Sequence, residues 1–299
     1  MRELVVISGK GGTGKTSITA SFASLAKRAI ICDADVDAAD LHLLLKPTIL
    51  KQSDFKGGNH AIINLDLCSA CGTCRELCQF DAIDPGFHVD KIDCEGCGVC
   101  VDFCPERAID FPEKTCGQWF ISKTRFGPMV HARLGIAEEN SGKLVSLVRQ
   151  EAKKLAEESN LDWMITDGPP GIGCPVIAAI SGATALLIVA EPTVSGIHDM
   201  ERVARLARGF TIPILVCVNK YDLNPEQTQA IINYANKEEI TYLGSIPYDP
   251  VVTKSMIEGK TVLEYDPLSS VSQSIEKVWE GILRAPAMNN LAHLEFSYK

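Results

Sequence analysis

The sequence predicts an α/β fold: a mostly parallel sheet covered by helices on both faces, with a small α+β domain inserted into it. Three observations lead there. Short β-branched apolar runs alternate with segments of helical apolar spacing, the pattern of parallel strands joined by crossover helices. A glycine-rich loop joins the first of these strands to the first helix. From about residue 60 to residue 111 the alternation stops, and Cys, Gly, Asp and Pro replace any regular apolar period.

The elements follow in order. Leu4–Ser8 reads as a strand, Lys15–Lys27 as a helix and Ala29–Asp33 as a buried strand. Beyond the insert, Ser141–Glu158 is an amphipathic helix and Trp163–Thr166 a strand. Further strands fall at Ala185–Val189, Ile214–Val218 and Tyr242–Ile246, with helical patterns between them, and Ser270–Leu283 is the last helix. The stretch 285–299 has no clear pattern and is left unassigned. The expected division is an α/β domain of residues 1–59 and 112–299, with an inserted domain of residues 60–111.

At 299 residues and 46% hydrophobic, the chain has enough apolar side chain for a sizeable core. Its net charge of −9 and the absence of any Lys/Arg run with interleaved aromatics argue against a nucleic-acid partner. The longest apolar stretch, around Ala183–Ala190, falls far short of the roughly 18 residues of a membrane span, so no stable membrane association is expected. No charged-then-apolar leader precedes the first strand, which predicts a cytoplasmic protein.

Eight of the twelve cysteines lie in two short runs, a distribution that points to metal and not to disulfides. Cys68, Cys71, Cys74 and Cys78 recur 26 residues later as Cys94, Cys97, Cys100 and Cys104. Ala82-Ile83-Asp84 recurs at the same offset as Ala108-Ile109-Asp110. A repeat that includes apolar positions predicts two equivalent halves about a pseudo-twofold axis. Each half is C-x2-C-x2-C-x3-C, and Pro105 follows the last cysteine. In that run the fourth Cys ligates the other cluster. The expected sets are Cys68, Cys71, Cys74 and Cys104 for one [4Fe–4S] cluster, and Cys94, Cys97, Cys100 and Cys78 for the second. Gly72, Gly96 and Gly98 let backbone N–H groups approach the cluster sulfides. Gln79 stands where the second half has Pro105, a difference that bears on rigidity or potential. The bland alternative, a pair of structural zinc sites, usually spaces its Cys pairs further apart. Over about 50 residues this segment resembles the bacterial two-cluster ferredoxins, which implies one-electron transfer at low potential.

Gly9-Lys10-Gly11-Gly12-Thr13-Gly14-Lys15-Thr16-Ser17 follows a strand and opens a helix, the context of a phosphate-binding loop. Its backbone N–H groups and the helix dipole cradle phosphate, Lys15 reaches the β and γ oxygens, and Thr16 ligates Mg²⁺. The additional Lys10 makes the loop resemble the deviant Walker A motif of the MinD/ParA family, which includes the nitrogenase iron protein and the Mrp-type carriers. The resemblance extends over the chain outside the insert. It implies that Lys10 crosses to a partner's nucleotide in an ATP-dependent dimer, either of two identical chains or with a paralogue. Asp33-Ala-Asp35-Val-Asp37 resembles switch I, and Asp167-Gly-Pro-Pro-Gly171 resembles Walker B and switch II. Asp167 would then hold Mg²⁺ through water, and a switch I carboxylate would orient the attacking water. Asp35 is favoured for that role, with Asp33 and Asp37 open because family members differ. Asn219 and Pro247 fall in segments that resemble the adenine side, which implies ATP; a turn-capping role for Asn219 is the alternative.

Weaker signals complete the reading. Cys174 is read as a small packed thiol, although its distance from Asp167 matches a cluster-bridging cysteine of the nitrogenase iron protein; the position expected for a second such cysteine holds Glu139. Cys32, Cys116 and Cys217 are read as packing residues, and His131 and His198 as surface or capping groups. The leading functional expectation is an ATPase that couples nucleotide state to electron transfer through two [4Fe–4S] clusters to a redox or iron–sulfur acceptor protein. An iron–sulfur scaffold or carrier ATPase and a MinD/ParA-like positioning ATPase are the alternatives.

Overall fold

The computed structural model describes residues 1–135 and 141–289. The chain separates into two compact units. The first comprises Met1–Gln52, Trp119–Arg133 and the stretch from Ser141 onward; the second comprises Ser53–Gln118 and the stretch from Leu134.

The first unit begins with β1 (Arg2–Ile7), α1 (Lys15–Leu25), β2 (Ala29–Asp33), α2 (Leu41–Leu45) and the start of β3 (Thr48–Asn59). The chain passes into the second unit within β3. There it forms β4 (Ile62–Ile63), α3 (Thr73–Leu77), α4 (Val99–Asp102) and β5 (Ile109–Asp110), and it returns within β6 (Glu113–Lys123). The first unit then continues through β7 (Pro128–Leu134), α5 (Ser141–Glu158), β8 (Trp163–Asp167), α6 (Cys174–Ile180), β9 (Ala185–Ala190), α7 (Val194–Gly209), β10 (Ile214–Asn219), α8 (Pro225–Lys237), β11 (Thr241–Ile246), α9 (Val251–Glu258), α10 (Val262–Tyr265), α11 (Ser270–Arg284) and α12 (Pro286–Asn289).

Nine strands form one sheet in the order β11-β10-β9-β1-β8-β2-β7-β6-β3. From β11 to β7 every adjacent pair is parallel. The central strands are buried along their whole length, as a sheet covered on both faces requires. On one face Leu4, Val6, Phe22, Trp163, Ile165 and Trp279 anchor the main apolar cluster, with the Trp279 ring 5.3 Å from both Phe22 and Trp163. On the edge of β1, Glu3 is buried and held bidentately by Arg149 of α5, with Nε to Oε1 at 2.9 Å and Nη2 to Oε2 at 2.7 Å.

Sequence patterning missed β3, β6 and β7. Thr48–Gln52 is exposed and rich in polar side chains, because β3 lies at the sheet edge and its period-2 signal is weak. The compact second unit accordingly reaches about seven residues beyond the 60–111 segment on each side, since β3 and β6 continue into it. It is small: β4 pairs antiparallel with β5, and Ala61, Cys74, Ile83 and Ile109 form its buried centre. Asn59 Nδ2 donates to the Phe111 carbonyl at 2.8 Å, closing its neck.

Candidate functional site

The loop after β1 wraps the start of α1 and lines a cavity of about 410 Å³ with Ser8, Gly11, Gly12, Thr13, Gly14, Lys15, Thr16 and Ser17. Asp35, Asn219 and Pro247 complete its wall, with Tyr248 and Met256 beside them. Gly14 caps α1 with φ +88°, and a Cβ there would overlap Asn219 Nδ2, so only glycine fits. Asn219, at the end of β10, donates through Nδ2 to the Thr13 carbonyl at 2.7 Å and braces the loop.

Behind the loop lies a buried charged cluster. Lys15 Nζ is 2.9 Å from Asp167 Oδ1 and 3.3 Å from Asp35 Oδ2. Thr16 Oγ1 donates to Asp167 Oδ2 at 2.7 Å, and Thr19, one turn further along α1, donates to Asp167 Oδ1 at 2.9 Å. Burial works against the Lys15 charge, yet Asp167 and Asp35 outweigh it and hold the ammonium above the usual lysine value. Burial, then Asp167, pushes Asp33 well above the usual carboxylate range. Asp33 Oδ1 accepts from the Asp35 N–H at 3.2 Å, while its buried Oδ2 has no partner among the described residues. Burial also raises Asp35, against the pull of Lys15. Asp37 is exposed. Of the three switch I candidates, Asp35 alone lines the cavity and touches Lys15.

Gly9 and Lys10 are not part of that wall. Lys10 Nζ sits 2.9 Å from Glu191 Oε2 and 3.3 Å from Thr193 Oγ1. The other oxygen of Glu191 holds Lys220 Nζ at 2.9 Å, and Lys220 also donates to the Gly12 carbonyl at 3.0 Å. Burial opposes the Glu191 charge, but Lys220 and Lys10 together keep its carboxyl below the usual range. Glu191 escaped notice in the sequence. Its signal was position: it directly follows a parallel strand, and ligands of such sheets gather at the carboxyl ends of strands.

In the second unit, Cys68, Cys71, Cys74 and Cys104 line one small cavity. Cys78, Cys94, Cys97 and Cys100 line another. The fourth cysteine of each run thus faces the three of the other. Gly96, at φ +64°, lets the Asn59 carbonyl lie against the second loop where a Cβ would clash. Among the described residues, no three His, Cys, Asp or Glu side chains converge on a point where a single metal ion would sit.

A nucleotide-binding family model described as the CobQ/CobB/MinD/ParA nucleotide binding domain matches residues 4–262. The chain belongs to this family. An uncharacterized protein of Methanocaldococcus jannaschii is 35% identical over 93% of this chain and 95% of its own length. The solved septum site-determining protein MinD complexed with Mg-ADP, from Pyrococcus horikoshii, superposes with a TM-score of 0.59 over 95% of this chain and 96% of its own, at 19% identity. The fold is therefore that of the MinD/ParA ATPases. An iron–sulfur cluster carrier protein of Aquifex aeolicus matches a smaller part, with 27% identity over 42% of this chain and 39% of its own length.

Two expectations need correction. Cys174 is exposed in the first turn of α6, at the N-terminal end of the helix, and not packed; Glu139, named with it, lies outside the described residues. His131 is neither surface nor capping: it is buried in the sheet, its Nε2 2.9 Å from Ser122 Oγ and its ring stacked on Phe120 at 4.9 Å. His198 is exposed, and Cys32, Cys116 and Cys217 are buried. No described helix is long and apolar enough to cross a membrane.

Proposed function

We propose that this chain is an ATPase whose nucleotide state governs electron transfer through two [4Fe–4S] clusters to a partner redox protein. The observation that carries the reading is the sorting of eight cysteines into two sets of four around separate cavities, on a chain that also has a complete phosphate loop. The donor set fits the group: thiolates are the ligands of iron–sulfur clusters, and four cysteines line each of the two cavities. When bound, such clusters accept and release single electrons.

The nucleotide chemistry falls to residues of the first unit. Lys15 leaves its carboxylate partners for the β and γ phosphate oxygens of ATP, which frees Asp35 to accept a hydrogen bond from the attacking water. Thr16, and Asp167 through water, would hold Mg²⁺; the buried, unpartnered Oδ2 of Asp33 and the carboxylates around it suit a cation there. Lys10 exchanges Glu191 for the nucleotide of a second subunit, which makes the active form an ATP-dependent dimer. Switch I leads covalently through α2 into β3 and the cysteine unit, a direct route from γ-phosphate loss to the redox centre.

An anaerobic EPR redox titration with and without Mg·ATP tests the reading. A potential or line shape that changes on ATP binding supports it, and two clusters indifferent to nucleotide sink the coupling. A second reading, delivery of iron–sulfur clusters to apo-acceptors, is favoured by the partial match to a cluster carrier and by the exposure of Cys71 and Cys97. Loss of iron to an apo-ferredoxin during ATP turnover would select it.

A further inference from the structure

The two halves of the cysteine unit are equivalent by position and not by chemistry. At the 26-residue offset, Ser69 corresponds to Glu95 and Thr73 to Val99. Ser69 and Thr73 line the cavity of Cys68, Cys71, Cys74 and Cys104. Glu95 and Val99 line the cavity of the other four. Thr73 Oγ1 stands 3.4 Å from Cys71 Sγ. A ligating cysteine is a thiolate and can only accept, so in the loaded protein the Thr73 hydroxyl is the donor.

Each added electron makes a cluster and its thiolates more negative. Hydroxyl donors aimed at the sulfurs stabilise that state and raise the potential, and a neighbouring carboxylate opposes it. The carboxylates balance, since Glu106 reaches the first cavity as Glu95 reaches the second. What remains is a pair of hydroxyls on one side, against a valine on the other.

Resting on the cluster reading above, we propose that Ser69 and Thr73 hold the site of Cys68, Cys71, Cys74 and Cys104 at the higher reduction potential of the two. The unit is then a directed relay. A one-electron, low-potential donor protein reduces the site of Cys78, Cys94, Cys97 and Cys100. That site is reoxidised by one electron as the other is reduced by one, with no proton moved, and the acceptor is served from the hydroxyl-lined site.

The test is a potentiometric EPR titration of the whole anaerobic protein, with dithionite as reductant, on the wild type, Thr73→Val, Ser69→Ala and Val99→Thr. Iron and sulfide are assayed alongside. The expected wild type has about eight irons per chain and two separate one-electron steps. Thr73→Val and Ser69→Ala lower the upper step and leave the lower one in place; Val99→Thr raises the lower step and narrows the gap. A single shared step, or a Thr73→Val shift confined to the lower step, overturns the proposal while leaving the cluster reading intact. A wild type without acid-labile sulfide overturns both.

Discussion

Removing Arg149 isolates one of the few charges the sheet buries. In Arg149→Met, Glu3 keeps its place on β1 but loses both guanidinium contacts, at 2.9 and 2.7 Å. The carbonyls of Ala178 and Ser181, at the end of α6, lose the donor that reached them at 2.6 and 3.1 Å. Breaking a buried pair from one side costs about 3–5 kcal/mol. Lys153 Nζ stays 3.2 Å from Glu3 Oε2 and Thr166 Oγ1 3.2 Å from Oε1, so the lower end applies, about 3 kcal/mol. For a chain of 299 residues, with about 2.1 cal/mol/K of unfolding entropy per residue, that lowers the melting temperature by about 5 °C. Circular dichroism melts of the anaerobic protein measure it. The double variant Glu3→Met/Arg149→Met should regain more than half of the loss, because no charge then stays buried alone. A single-variant loss below about 1 kcal/mol, or no recovery in the double variant, would refute the claim that the stranded carboxylate carries the cost.

Further expectations concern pH, metal and nucleotide. Burial, then the nearby His42, lowers His131 to about 4, so the unfolded chain takes up the proton first; stability falls as pH drops from 6.5 towards 4, by up to about 3 kcal/mol. His131→Asn should flatten that limb in chemical denaturation series. Paired cysteine variants test the crossed sets: Cys68→Ala with Cys104→Ala should leave about four irons per chain, whereas Cys94→Ala with Cys104→Ala should leave almost none by iron analysis. Glu191→Gln removes the charge that holds Lys10 at home, and light scattering across an ATP titration should find the dimer at several-fold lower ATP. An unchanged midpoint would show that Glu191 does not restrain Lys10.

The elements most legible in the sequence are those whose chemistry is local. Ala29–Asp33 reads as a buried strand because all five residues are apolar or lead into a carboxylate at the strand end, and the structure gives the same bounds. The phosphate loop is legible because glycines at fixed offsets have no bland use between a strand and a helix. Edge strands hide: Lys51, Gln52, Ser53 and Asp54 look like loop until a sheet supplies their hydrogen bonds. Partners distant in sequence hide as well. Nothing near Glu3 announces Arg149, and nothing near Lys10 announces Glu191, because each pair is made by strand order and not by spacing.

Strands β3 and β6, which carry the chain out to the cysteine unit and back, are neighbours in the sheet, and Gln118 Nε2 donates to Asp54 Oδ1 at 3.3 Å where they cross over. To the ATPase fold the whole of Ser53–Gln118 is one loop with its ends already together. An unstructured loop of that length costs about 3–4 kcal/mol of closure entropy. On the cluster reading proposed above, once the cysteine unit folds around its clusters that penalty no longer falls on the surrounding sheet. Iron loading would thus tighten the nucleotide-binding fold through chain entropy alone, and starvation for iron would loosen it.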